Sequence, residues 1–164
     1  MRMQFLLVLG FLVGSCFANA AGDLGAGIVL GDPTAITIKY WRDKQVAYDA
    51  GIGFAVGNYF LFYGDYLYHF PGAFKAKDAF LARLTPYIGV GGILAVTTSD
   101  RSQNYAYYGR NSGSFGLGVK VPLGIEWRPR EPSIGVFVEI APGISIVPAT
   151  TAIFTGGIGI RYFF

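Results

Sequence analysis

From residue 24 onward the chain alternates, position by position, between two kinds of side chain that cannot share an environment. One set is large and apolar: Ile36, Ile38 and Tyr40; Tyr48, Ile52 and Phe54; Phe60, Phe62, Tyr66 and Tyr68; Phe115, Leu117, Val119, Val121, Leu123, Ile125 and Trp127; and Val136, Val138 and Ile140. The interleaved set carries Lys39, Asp49, Asp65, His69, Lys120, Glu126, Glu139 and Arg161 among Gly51, Gly53, Gly89, Gly91, Gly116, Gly118, Gly124, Gly157 and Gly159. Period two places the sets on opposite faces of β-strands. Eight segments show it: Leu24 to Gly31, Ala35 to Trp41, Val46 to Val56, Tyr59 to Phe70, Tyr87 to Val96, Phe115 to Trp127, Ile134 to Ala141 and Ile153 to Phe164. Asp32-Pro33-Thr34, Asp43-Lys44, Gly57-Asn58 and Pro129 to Ser133 supply turns, so the early part is a meander of hairpins. Proline falls at turns or strand ends except Pro122, which belongs at a bulge or where no ladder donor is needed.

The company that glycine keeps decides which face is outside. In a soluble barrel the polar face meets water and would carry long side chains, because glycine weakens a strand there. Here glycine shares the charged face. The interior of an eight-stranded barrel barely holds side chains, so ion pairs fit only beside very small neighbours. The charged face therefore points inward and the apolar face meets lipid: an all-β, eight-stranded, antiparallel, up-and-down transmembrane barrel. Tyr40, Trp41, Phe70, Trp127 and Tyr162, near strand ends, suit the aromatic girdles of such a barrel.

Composition agrees. The chain is 52% hydrophobic and 14% charged, yet past its N-terminus it has no run of around 18 uninterrupted apolar residues that a spanning helix would need. At the N-terminus, Arg2, the apolar run from Phe5 to Val13, and Ala18-Asn19-Ala20 form a secretory signal cut before Ala21. Residues 1–20 are then a cleaved leader and residues 21–164 one barrel domain. Val13-Gly14-Ser15-Cys16 offers a competing lipoprotein-type site in which Cys16 would be lipidated. Cleavage after Ala20 instead removes the single cysteine and excludes a disulfide. Losing Arg2 reduces 13 basic residues to 12 against 10 acidic ones, too small an excess to imply nucleic acid.

The final strand, GGIGIRYFF, sets Ile158, Ile160, Tyr162 and Phe164 on its apolar face and ends on an aromatic residue. It resembles the C-terminal insertion signal of Gram-negative outer-membrane proteins. Together with GAGIVLGDPTAITIKYW at Gly25 to Trp41, GDYLYHF at Gly64 to Phe70, PYIGVGG at Pro86 to Gly92 and EIAPGISIVP, it resembles a family of small, mostly uncharacterised bacterial outer-membrane barrels. More generally the chain is similar to OmpA-type and OmpW-type barrels, without an appended peptidoglycan-binding domain. The resemblance implies an outer-membrane location, a porin-like architecture and no particular activity. The implied partners are outer-membrane lipid, lipopolysaccharide and the barrel-insertion machinery, with the barrel itself a monomer.

Chemistry is sparse. His69 is the sole histidine; Asp65 and Tyr63 share its strand face, so a carboxylate could polarise the imidazole as in a hydrolase. No serine is fixed relative to it by the sequence. With both termini periplasmic, His69 also falls at the periplasmic end, away from the outer leaflet. A hydrogen-bonded lumen histidine is the plainer reading. Lys39, Lys120 and Arg161 would be costly in a narrow lumen unless paired with Asp49, Asp65, Glu126 or Glu139, and such a network plugs the barrel. A solute path lined by those charges is the competing reading, and a lipid-modifying enzyme a third. The longest polar segment, Thr97 to Gly113, faces outward by strand count; its Arg101, Tyr105, Tyr107, Tyr108 and Arg110 could contact a surface partner. Pro71 to Thr85 is expected on the periplasmic side, with AFKAKDAFLARL as a short interfacial helix turning Phe74, Phe80, Leu81 and Leu84 toward lipid. No CxxC, HExxH or GxxxxGK is present, and the GxG strings are strand glycines; no cofactor or metal is implied.

Overall fold

The computed structural model describes residues 22–55, 59–75, 77–97, 115–129, 131 and 133–164. The expected leader, with Cys16, and the loop residues Arg101, Tyr105, Tyr107, Tyr108 and Arg110 lie outside them.

The alternation folds as it reads. Nine stretches pair antiparallel: β1 (Leu24–Asp32), β2 (Thr34–Trp41), β3 (Val46–Ala55), β4 (Tyr59–His69), β5 (Leu84–Thr97), β6 (Phe115–Lys120), β7 (Leu123–Trp127), β8 (Ile134–Val147) and β9 (Thr151–Phe163). Each pairs with its neighbours in order, and β9 closes on β1. β6 and β7 are two halves of one strand, since both lie between β5 and β8 with no change of register across Pro122. The wall is thus a closed barrel of eight strands. The interruption has a simple cause: Val121 N–H still donates to Pro142 O (2.9 Å) and Gly89 N–H to Pro122 O (2.8 Å), but neither proline has an N–H to return the bond.

Register fixes the dimensions. Hydrogen-bonded partners lead from Gly27 through Thr37, Gly51, Tyr63, Ile93, Gly118, Ser145 and Thr151. Since Gly156 faces Asp32, the path returns to the line of β1 ten residues beyond Gly27. Ten residues of stagger over eight strands tilt them by about 40° at a backbone radius of about 8 Å. A wall of that radius has room for packed side chains and little else.

The two sets of side chains occupy the two sides. Ile36, Ile38, Phe54, Val138, Ile158, Ile160, Tyr162 and Phe164 stand exposed on the outer surface, and Lys39, Asp49, Asp65, His69, Lys120, Glu126 and Arg161 are buried within. Cross-strand aromatic pairs such as Tyr48–Tyr66 (5.7 Å) and Phe54–Phe60 (4.8 Å) reinforce the outer face. The small residues inside answer to large ones opposite: a Cβ on Gly51 would lie 2.5 Å from the Tyr63 ring, and one on Gly159 2.2 Å from the Phe137 ring. The start of β1 and the end of β9 meet at one mouth, the termini mouth, where Phe164 N–H donates to Leu24 O (2.9 Å).

Three expectations need correction. β8 runs on through Pro142 to Val147, because Ala141 and Ser145 keep pointing inward and Ile144 and Ile146 outward; a proline removes one ladder bond but leaves the alternation intact. The expected interfacial helix is a single 3₁₀ turn, Leu81–Arg83, and Leu84 already belongs to β5. Asp78 takes the N–H groups of Phe80 (2.8 Å) and Leu81 (3.2 Å) as an N-cap, so a helix can start only after it, and the strand that begins at Leu84 leaves room for a single turn. Trp41 is no girdle residue: it shares the parity of Lys39 and turns inward, its ring 4.3 Å from that of His69.

Candidate functional site

Among the described residues the fold concentrates buried polar side chains in the lumen, where they are arranged in layers. Nearest the mouth that holds the termini, Lys39 on β2 and Glu126 on β7 form an ion pair across the barrel. His69 completes the group, its Nε2 2.9 Å from Lys39 Nζ and 3.8 Å from Glu126 Oε2, while its Nδ1 faces Gln45 O at 3.3 Å. The Lys39 ammonium sits 4.5 Å from the Trp41 ring and 5.2 Å from the Tyr87 ring, a cage that suits a cation.

Deeper in, Arg161 on β9 pairs with Asp49 on β3. Thr37 ties them together, donating to Asp49 Oδ1 (2.6 Å) and accepting from Arg161 Nη2 (3.1 Å). The guanidinium carbon rests 3.7 Å from the Phe137 ring centroid. The third group gathers around Lys120, 2.8 Å from Asp65 and 3.8 Å from Glu139, with the Tyr63 ring 4.2 Å from the ammonium. Tyr87 donates to Glu139 Oε2 at 2.7 Å.

All eight sequence-nominated lumen residues therefore touch at least one other of the eight, but not in the pairing their strands suggest. Asp65 faces Lys120 rather than His69, whose neighbours are Lys39, Glu126 and a backbone carbonyl. The hydrolase-like His69–Asp65 arrangement is absent among the described residues. Asp49 and Asp65 are direct cross-strand neighbours; two carboxylates so placed repel, and each is drawn instead to a cation from another strand.

Above these layers, toward the mouth opposite the termini, the lumen turns apolar. Leu61, Ile93, Ala95 and Ile153 form a buried cluster with Tyr63 packed against it. Sequence reasoning passed over this layer, although the alternation carries it: these residues share the inward parity of the charges. Beside both layers lies a cavity of ≈ 30 Å³, lined by Leu61, Tyr63, Lys120 and Arg161 and, toward the mouth opposite the termini, by Asp32 and Pro33 of the β1–β2 turn, enough for a water or two. At the termini mouth a wider recess of ≈ 440 Å³ opens between Asp23, Arg42, Lys44 and Arg128, with Trp41 and Glu126 at its base. Among the described residues no group of three or more His, Cys, Asp or Glu side chains is placed to hold a metal ion.

Comparison with known proteins agrees on the architecture. The crystal structure of the N-terminal β-barrel domain of Pseudomonas aeruginosa OprF superposes with a TM-score of 0.58 at 18% identity, over 86% of this chain and 95% of that one. The crystal structure of the outer membrane enzyme PagL gives 0.44 at 14% identity, over 86% and 99%. No curated protein matches the sequence. The model of a family described as "Protein of unknown function (DUF3996)" matches residues 18–164. The similarity to eight-stranded outer-membrane barrels read from the sequence motifs is borne out in the fold.

Proposed function

The chain belongs to the DUF3996 family of proteins of unknown function, and on that footing we propose that it serves as a plugged barrel in the bacterial outer membrane, with a structural or surface-interaction role exercised through its loops. The observation that carries this reading is the stacking of three paired-charge layers beneath an apolar cluster of Leu61, Ile93, Ala95 and Ile153, with a cavity of only ≈ 30 Å³ beside them. Hydrated ions would have to break buried ion pairs and then cross an apolar constriction. Each step opposes conduction.

His69 supports a non-enzymatic reading. Its ring is held between Trp41 and Tyr87, at 4.3 and 5.0 Å, and its nitrogens face Lys39 and Gln45 O. A base needs its nitrogen free toward a substrate proton. Partners on this reading are membrane lipid, lipopolysaccharide and, during biogenesis, the insertion machinery acting on the strand that displays Ile158, Ile160, Tyr162 and Phe164.

A narrow solute path is the second reading, favoured by the ≈ 440 Å³ recess that reaches down to Glu126 from one side. Planar-bilayer conductance of the refolded mature chain separates the two. The plugged barrel predicts silence for the parent chain and for Leu61→Ser/Ile93→Ser alike, since the charge layers remain in both. Discrete openings of the parent chain, altered by Lys120→Ala or Glu139→Ala, would establish the path and refute the plug.

A further inference from the structure

The outer wall is not uniform. Between β5, β7 and β8, in the half of the barrel nearer the termini, an apolar trough of ≈ 660 Å³ runs along the surface, walled by Leu84, Leu123, Ile125, Trp127, Val138 and Ile140. Phe80 leans onto it from the β4–β5 connection and stacks on Trp127, with centroids 5.5 Å apart at 34°. That aromatic pair stands at the trough's lower end, where β5 begins and β7 stops. From Leu123 to Trp127 the trough rises about 10 Å along the membrane normal for strands tilted by about 40°, so it lies within one leaflet.

The β4–β5 connection that supplies Phe80 is basic and exposed. It carries Lys75, Lys77 and Arg83 against one acid, Asp78, whose carboxylate is occupied by the N–H groups of Phe80 and Leu81. Arg83 directly precedes Leu84 of the trough wall. Arg128, on the neighbouring connection, is engaged elsewhere: its guanidinium packs 3.8 Å from the Phe163 ring and donates to Gly22 O.

We propose that the trough and this basic connection form a binding site for one anionic phospholipid of the inner leaflet. One acyl chain lies against Leu84, Ile125 and Ile140, beside the Phe80–Trp127 pair, and the phosphate sits at Arg83 with Lys75 and Lys77 around it. Charge complementarity selects the headgroup, because each basic side chain at a membrane surface favours an anionic lipid about fivefold. Apolar shape holds the chain. The site depends on the barrel spanning a membrane with its termini on the inner-leaflet side, and is independent of whether the lumen conducts.

Native mass spectrometry of the folded barrel in detergent, titrated separately with phosphatidylglycerol and phosphatidylcholine of the same acyl chains, tests this. The expected result is one lipid per barrel, with phosphatidylglycerol retained on the order of a hundredfold more strongly, about fivefold for each of the three cations. The preference is lost in Lys75→Gln/Lys77→Gln/Arg83→Gln, whose changes are all on exposed side chains, and retention of both lipids drops in Val138→Trp, which fills the trough. Equal retention of the two lipids by the parent chain would overturn the proposal, as would retention of several lipids without saturation at one. So would a preference that survives the triple substitution.

Discussion

Replacing Arg161 with methionine isolates the energetics of the buried charge layers. Both partners of the Arg161–Asp49 pair are fully enclosed, at 1% and 4% exposure, and Asp49 keeps only Thr37 as a donor once the guanidinium is gone. Methionine retains most of the volume beside Phe137, so the loss is electrostatic and not a cavity. Removing one member of a buried pair costs about 3–5 kcal/mol, because the other stays buried and uncompensated. Asp49→Asn alone should cost a similar amount by orphaning Arg161. The double variant Arg161→Met/Asp49→Asn removes both charges and leaves an amide that still bonds Thr37; it should cost no more than either single change, which requires a coupling of at least about 3 kcal/mol. The assay is urea unfolding in lipid vesicles of fixed composition, followed by tryptophan emission from both directions to establish reversibility. A cost for Arg161→Met below about 1 kcal/mol, or strict additivity in the double variant, would show that water compensates the charges. The plugged lumen would then lose its physical basis.

Gly159→Ala should destabilise by about 1–3 kcal/mol through overpacking, since the added carbon meets the Phe137 ring at 2.2 Å. Phe137→Leu in the same chain should return part of that loss in urea midpoint. The two tryptophans report opposite sides of the wall: brominated lipid should quench a Trp41→Phe variant, which keeps the outward Trp127, and leave Trp127→Phe nearly unquenched. The reverse pattern would invert the assignment of faces. In the β2–β3 turn, the N–H groups of Gln45 (2.8 Å) and Val46 (2.9 Å) bond Asp43 and hold its carboxyl below the usual range. A carboxylate depressed in the folded state stabilises above its ordinary pKa, and that contribution fades as pH falls through the lowered value. Amide exchange at Gln45 and Val46 should therefore accelerate in acid, beyond its intrinsic pH dependence, in the parent chain and not in Asp43→Asn.

The barrel and its two faces were legible because period two holds along every strand, and because glycine beside charge has one physical explanation, a crowded interior. Strand ends were less legible. Pro142 suggested a stop at Ala141, yet the cost of one missing donor is small beside the continued burial of Ser145. Trp41 misleads because it lies near a strand end, where girdle aromatics stand, while its parity is that of inward Lys39. The pairing inside the lumen could not be read at all. Lys39 and Glu126 are 87 positions apart and meet only because the stagger of the wall brings them to one level. A different stagger would offer Lys39 another carboxylate. The same holds for His69, for which the sequence offered Asp65 on its own strand while the fold supplies Glu126 from two strands away.

The seam where β9 meets β1 carries one more consequence, which concerns time. The hairpins from β1 to β4 can pair as neighbours along the chain, but the free edge of β1 finds its partner only in residues 156–163. Until that last strand arrives, the nascent sheet exposes both an open edge and an apolar outer face, the conditions under which chains aggregate. Loop-closure entropy also makes so distant a contact slow to form. The chain must therefore be delivered whole and kept apart from its siblings before it can become a barrel at all, and its last residues act as the latch that ends that vulnerable interval.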